Sequence, residues 1–289
     1  MIDVKNLVYR YPKNEEPTVK DISFSIREGE IFGFLGPSGA GKSTTQKILI
    51  KLQTNYSGEI KILGNNHRNS DGSFFNHIGV CFELPNHYPK LTALENLRYF
   101  SGFYTKKPGD PMQLLDKVGL SKDANIKVEK FSKGMKMRLN FVRSIMHNPD
   151  ILFLDEPTSG MDPGNARKIK DIILEQKQLG KTIFITTHNM HDADELCDRV
   201  AFMVDGRLEV IDSPKNIKQM GGKRVVKVEY ENSEIHAEEF KIEGLADNEE
   251  FLNILRKNHV RSIHSREATL EDIFIQITGK NLQNHENAH

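Results

Sequence analysis

The chain has 289 residues, 37% of them apolar and 28% charged, enough to bury one full α/β core and a smaller appendage. Its 40 basic and 40 acidic residues cancel, so bulk charge gives no support to a nucleic-acid or anionic-membrane partner. No run of about eighteen apolar residues offers a membrane span, the opening MIDVKNLVYR has no apolar signal core, and Cys81 and Cys197 lie too far apart for a metal motif, so a soluble, cytosolic polypeptide is expected.

In chain order, apolar residues first alternate with polar ones at Ile2 and Val4, then at Ile22, Phe24 and Ile26, the period of half-buried antiparallel strands. Ile31 to Leu35 is an unbroken apolar strand that runs into GPSGAGKST, residues 36–44, after which Thr45 to Leu52 reads as helix. From about 84 to 146 the strand signals vanish, and ALENLRYFSGFY, MQLLDKVGL and MKMRLNFVRSIM read as successive helices of an inserted subdomain. Ile151 to Leu154 is a buried strand that delivers Asp155 and Glu156 to its carboxyl end, where open α/β sheets bind ligands. Asp162 then reads as an N-cap with Pro163 in the first helical position, Ile169, Ile172 and Ile173 on one face and Gly180 at the stop.

Thr182 to Thr187 is a further buried strand, and it ends at His188. Arg199 to Val204 turns at Asp205-Gly206, a pair suited to a type I′ turn, into Arg207 to Val210. The pattern breaks near Ser213-Pro214. Beyond Gly221-Gly222, the strand-like VVKVEY and helix-like EEFLNILRKN predict a small separate domain, and the polar residues from about Asn281 predict a disordered tail.

Two elements carry phosphate chemistry. Residues 36–43 match G-x-x-x-x-G-K-S/T between an apolar strand and a helix. Glycines at 36, 39 and 41 let backbone N–H groups turn inward around a β-phosphate, Lys42 reaches the β/γ oxygens, and Ser43 offers a hydroxyl to Mg²⁺. The tandem Asp155–Glu156 suits metal-assisted hydrolysis of a phosphoanhydride, one carboxylate holding a Mg²⁺ shell and the other poising a water. The expected fold is therefore α/β: a P-loop nucleotidase core with an N-terminal antiparallel β subdomain, an inserted helical subdomain and a small C-terminal α+β domain, bounded at 1–211, 212–280 and 281–289.

The loop, then Ser132-Lys133-Gly134-Met135, then LFLDEPTSGMD, then His188 at a strand end resemble, in order and spacing, the nucleotide-binding subunit of an ATP-binding cassette (ABC) transporter over about residues 1–211. The resemblance implies an ATPase at the cytoplasmic face of the cell membrane, with ATP and Mg²⁺ as cofactors. ATP would be held by Gly36, Pro37, Ser38, Gly39, Ala40, Gly41, Lys42, Ser43 and Thr44 of one chain and by Ser132, Lys133, Gly134 and Met135 of a second cassette, identical or different. Glu156 would be the general base, His188 would contact the γ-phosphate, and Ser43, Asp155 and Glu83 would serve the metal. Tyr11 would stack on adenine, with Tyr9 as its rival, since an aromatic residue in an alternating strand equally reads as core. Asp162 would lie on the dimer seam, a role compatible with its cap.

Three positions depart from the commonest family form: Glu83 stands where glutamine is usual, Lys133 where glycine is usual and Met135 where glutamine is usual. A carboxylate at 83 keeps metal binding and slows a sensor that must release, while Lys133 adds a cation at the neighbour's triphosphate. A separate transmembrane permease subunit is the implied partner, docking on the helical subdomain and the Glu83 loop. LEDIF at 270–274 resembles the tail of bacterial multidrug, antibiotic and bacteriocin-type exporters, although an amphipathic helix with Leu270, Ile273 and Phe274 accounts equally for it. The alternative is a soluble cassette ATPase acting on ribosomes or nucleic acid; a single cradle, no heptad run, no cysteine cluster and no net basic charge speak against it, and no nucleic-acid partner is expected. A phosphotransferase would leave Phe131 to Met135 without a role.

Overall fold

The computed structural model describes residues 1–106, 108–221, 225–232, 234–266 and 268–279; Gly222 and the tail expected at 281–289 lie outside the described residues. Contacts divide the described chain into two compact units, residues 1–213 and a second from Pro214 onward.

The first unit opens with an antiparallel sheet of β1 (Ile2–Tyr9), β2 (Val19–Ile26), β4 (Ser57–Ile62) and β5 (Asn65–Asn66), in the order β2-β1-β4-β5. Val4 lies opposite Phe24 on one side and Ile60 on the other, so a single apolar face turns inward. That face covers a six-stranded sheet. It comprises β3 (Ile31–Leu35), β6 (Ile78–Cys81), β7 (Ile151–Asp155), β8 (Thr182–Thr187), β9 (Arg199–Val204) and β10 (Arg207–Asp212), in the order β10-β9-β3-β8-β7-β6. All its pairings are parallel except the β9–β10 edge.

Every residue of β3, β7 and β8 is buried, which explains their unbroken apolar runs: a parallel sheet is covered on both faces. Between the sheets Phe24 meets Phe34 edge-on at 4.9 Å, and Phe34 meets Phe184 at the same distance. Each such ring stabilises the fold by roughly 1.5–3 kcal/mol through area removed from water.

Helix α1 (Lys42–Leu49) begins three residues earlier than the periodicity indicates, because Gly41 (φ 109°) reverses the chain immediately before Lys42. In the central region lie α2 (Ala93–Ser101), α3 (Pro111–Lys117) and α4 (Lys133–Ile145). A Thr92–Glu95 capping box starts α2, and Gly102 ends it before FYT. Helix α5 (Pro163–Gln178) is capped by Asp162, whose carboxylate accepts from Asn165 N at 3.1 Å, as read from the sequence. Helix α6 (Met190–Leu196) follows β8. At the β9–β10 turn both Asp205 (φ 47°) and Gly206 (φ 83°) are left-handed, as a type I′ turn requires, and β10 runs two residues past the expected Val210.

The second unit holds α7 (Pro214–Met220), β11 (Val225–Asn232), β12 (Glu234–Lys241), α8 (Glu249–Lys257), β13 (His259–Arg266) and α9 (Leu270–Thr278). Its antiparallel sheet, β12-β11-β13, has a core of Val226, Val228, Tyr230, Phe240, Phe251 and Ile254. Helix α9, which carries LEDIF, packs against α7 and buries Leu270, Ile273 and Phe274.

Candidate functional site

The carboxyl ends of β3, β7 and β8 bring the phosphate-chemistry residues together. Between β3 and α1 the loop 36–41 folds against the β9–β10 hairpin, with Gly206 N donating to Ala40 O at 3.0 Å. Gly36 is indispensable to that approach: its φ is 155°, and a Cβ there would stand 2.1 Å from Met203 O. Lys42 is buried and donates through Nζ to Gly36 O (2.6 Å) and Pro37 O (2.9 Å), both in the loop it closes. Burial lowers its pKa, while the charges of Glu156, Asp155 and Glu83 work in the opposite direction.

Asp155 ends β7 in a buried position, accepting from Ser43 Oγ at 3.2 Å and from Thr186 Oγ1. Burial raises its carboxyl above the ordinary value; the Thr186 and Ser43 hydrogen bonds and Lys42 counter this, and Glu156 adds to it. A hydroxyl and a carboxylate at this separation are hard oxygen donors of the kind Mg²⁺ takes.

Glu156, one residue on, adopts φ 48°, a left-handed conformation costing a side-chain-bearing residue roughly 1–2 kcal/mol. Its N donates to Thr186 O at 2.9 Å. Its Oε1 accepts from His188 N (2.9 Å) and meets His188 Nδ1 at 2.6 Å; its Oε2 accepts from Thr187 Oγ1 at 2.9 Å. Those bonds fix the carboxylate's plane; Oε1 takes two donors, and Oε2, with one, keeps a lone pair for a further donor. Such a group can orient a water and accept its proton.

Tyr9 and Tyr11 separate by burial. Tyr9 is 4% exposed, sits in the core and donates to Gln53, whereas Tyr11 is half-buried, lies edge-on to Tyr9 and has its hydroxyl 3.3 Å from Thr44 Oγ1. Glu83, exposed after β6, lines with Ser43 and Asp155 a cavity of about 850 Å³ whose other walls include Leu84, Tyr88, Phe100 and Tyr104. Ser132, Lys133, Gly134 and Met135 are elsewhere. Ser132 caps α4, accepting from Met135 N at 3.2 Å, and a Cβ on Gly160 would stand 3.0 Å from Lys133 Cε. Among the described residues no hydrogen bond joins these four to the loop 36–44.

Thr186 and Thr187 are absent from the sequence-derived site. Thr186 donates to Asp155, and Thr187 donates to Glu156. The available signal was two hydroxyls closing an otherwise apolar strand, where buried polar groups require partners.

Residues 19–159 match the family model described as ABC transporter, and residues 224–267 match that of the fluoroquinolone efflux ABC transporter C-terminal domain. A fluoroquinolones export ATP-binding protein of Mycobacterium tuberculosis is 53% identical over 284 residues, 98% of this chain and 94% of that one. The linearmycin resistance ATP-binding protein LnrL of Bacillus subtilis is 31% identical, covering 98% of this chain and 100% of its own length. A solved ATP-binding subunit of an ABC transporter superposes with a TM-score of 0.70 at 28% identity, covering 77% of this chain and 93% of that one. A dimeric ATP-binding cassette in a post-hydrolysis state with ADP and Pi gives 0.68 at 28% identity, over 74% and 98%.

Proposed function

The chain belongs to the ATP-binding cassette family of ABC transporters, and from that premise we propose that it is the ATP-hydrolysing subunit of a drug, antibiotic or peptide-like exporter, acting on a separate membrane subunit through ATP-driven closure of two cassettes. The observation that carries the hydrolytic reading is the Glu156 carboxylate, locked by His188 and Thr187 at the strand ends beside Lys42. Near full-length similarity to proteins named for fluoroquinolone export and linearmycin resistance supports the export reading. It also leaves a soluble cassette acting on ribosomes or nucleic acid with less support.

In this reading the N–H groups of Gly36 to Thr44 cradle the phosphates and Tyr11 stacks on adenine. Lys42 moves its ammonium from two loop carbonyls to phosphate oxygens. Ser43, Asp155 and Glu83 would hold Mg²⁺, which supplies charge neutralisation at the phosphates when bound. Glu156 takes the proton of the attacking water. With Nδ1 held against Glu156, His188 presents Nε2 to a γ-phosphate oxygen. Ser132, Lys133, Gly134 and Met135 serve the nucleotide of the facing cassette, an identical chain or a related one.

The cavity beside Glu83 receives a short helix of the membrane subunit, since Leu84 is 76% exposed and Tyr88 45% exposed at its wall. No helix among the described residues is long and apolar enough to cross a membrane, consistent with a peripheral subunit at the cytoplasmic face. The test is phosphate release by the full chain and its Glu156→Gln variant, with capture of the membrane polypeptide that co-purifies from detergent-solubilised membranes. Unchanged release in the variant would overturn the hydrolytic assignment; recovery with ribosomes would overturn the transport one.

A further inference from the structure

Behind the Glu156–His188 pair lies a second connection between the same two segments. Thr158, two residues past Glu156, donates through Oγ1 to Asp192 Oδ2 at 2.7 Å. Asp192 belongs to α6, the helix that begins directly after the His188 segment, and its own N donates to Asn189, the N-cap. It is 9% exposed. Its other oxygen accepts from Lys170 Nζ of α5 at 3.1 Å, and the same ammonium pairs with Glu195, which also binds Arg167. The carboxylates of Asp192 and Glu195 lie close enough, with His191, to hold a cation, and the cation they hold is the Lys170 ammonium.

We infer that Asp192 is a positioning residue for ATP hydrolysis: anchored to α5 by Lys170, it holds Thr158 and so fixes the segment of Glu156 relative to that of His188. The inference rests on the assignment of Glu156 and His188 above. The physical reason is the backbone at Glu156. A left-handed side-chain-bearing residue persists only where its surroundings over-determine it, and Thr158 is the first residue beyond Glu156 whose side chain binds another element. Releasing that bond gives the turn freedom to relax, so that the carboxylate, still bonded to Thr187 and His188, loses its fixed position for orienting a water. The loop 36–44 is untouched by such a change, so nucleotide binding is preserved.

The experiment uses the full chain with Thr158→Val, Thr158→Ser, Asp192→Ala and the Thr158→Val/Asp192→Ala double variant. Thr158→Val keeps the volume and loses the donor; Asp192→Ala leaves Lys170 paired with Glu195. The expected result is kcat lowered about tenfold in both single variants, with KM for ATP and thermal stability within about twofold and a few degrees of the parent. Thr158→Ser recovers the rate, and the double variant is no slower than either single one. Wild-type kcat in Thr158→Val, or losses of kcat that multiply in the double variant, would overturn the proposal. So would a fall in KM performance and melting temperature that tracks kcat, the mark of a merely structural bond. Glu156→Gln, assayed in parallel, separates the two readings: if it hydrolyses normally the catalytic assignment fails, and if it is dead while Thr158→Val is normal only the positioning role fails.

Discussion

Glu156 is held by three donors, from His188 twice and Thr187 once. Replacing it with glutamine keeps the volume and removes the proton acceptor, so phosphate release should fall by roughly 10² or more while ATP still binds; a phosphate assay beside an ATP titration checks both halves. Lys42→Ala should do the reverse, weakening ATP binding itself, because it deletes the buried cation opposing the charges of three carboxylates and leaves them to repel the triphosphate. Titration with a fluorescent ATP analogue reads that loss directly. At this scale the loop and the carboxylate pair were legible because their spacing is itself the chemistry. Thr186 and Thr187 were not, since a threonine is an ordinary strand residue until its hydroxyl's partner, brought near by parallel pairing of β7 with β8, is known. The rivalry between Tyr9 and Tyr11 was likewise open in the sequence, where alternation gives both aromatics the same face. Burial separates them.

Some helix starts were legible from a cap's own side-chain signal, while α6, capped by Asn189, was not read. Asp162 with Pro163 is a legible case, and the Thr92–Glu95 box is another that the helix reading from Ala93 left unnamed. Thr92→Ala should cost about 1 kcal/mol, within the usual 0.5–2 kcal/mol of a lost N-cap, with hydrolysis unchanged; urea unfolding followed by helix ellipticity measures it. Strands β4, β5 and β6 were not legible. β5 has two residues, and β6, IGVC, is too short to show a period. Its Gly79 reads as a breaker, yet a Cβ there would meet Ser144 O at 2.0 Å, so the residue marks close packing with α4. The aromatic wall beside Glu83 makes its prediction here too. Leu84→Asp should abolish co-purification of the membrane subunit and leave ATP binding intact, because Leu84 faces outward and supports no core.

Across the whole molecule, His67, His87 and His147 are each pushed down to about 4, chiefly by burial. His67 shows the neutral ring at work: Nε2–H donates to Leu49 O while Nδ1 accepts from the Tyr56 hydroxyl. Above the ordinary histidine value near 6.5 neither folded nor unfolded chain carries these protons. As pH falls below it the unfolded chain takes them up and the native one resists until about 4, so stability is lost progressively across that window. Denaturant melts from pH 7.5 to 4.5 should show a falling midpoint, and His67→Gln should flatten the slope. The two-unit division, by contrast, follows from where contacts thin out at Ser213-Pro214, a place the sequence marks with proline.

The order of strands in the large sheet governs how the protein can be made. β3, which launches the phosphate loop, lies between β8 and β9, so its paired neighbours are residues 183–187 and 199–202. On the ribosome the IFGFL segment therefore emerges long before either neighbour exists, an aggregation-prone apolar ribbon awaiting the synthesis of about 150 further residues. A nascent chain released before β8 is complete has no lateral support for that segment, and its nucleotide cradle stays unassembled until synthesis has passed both neighbours.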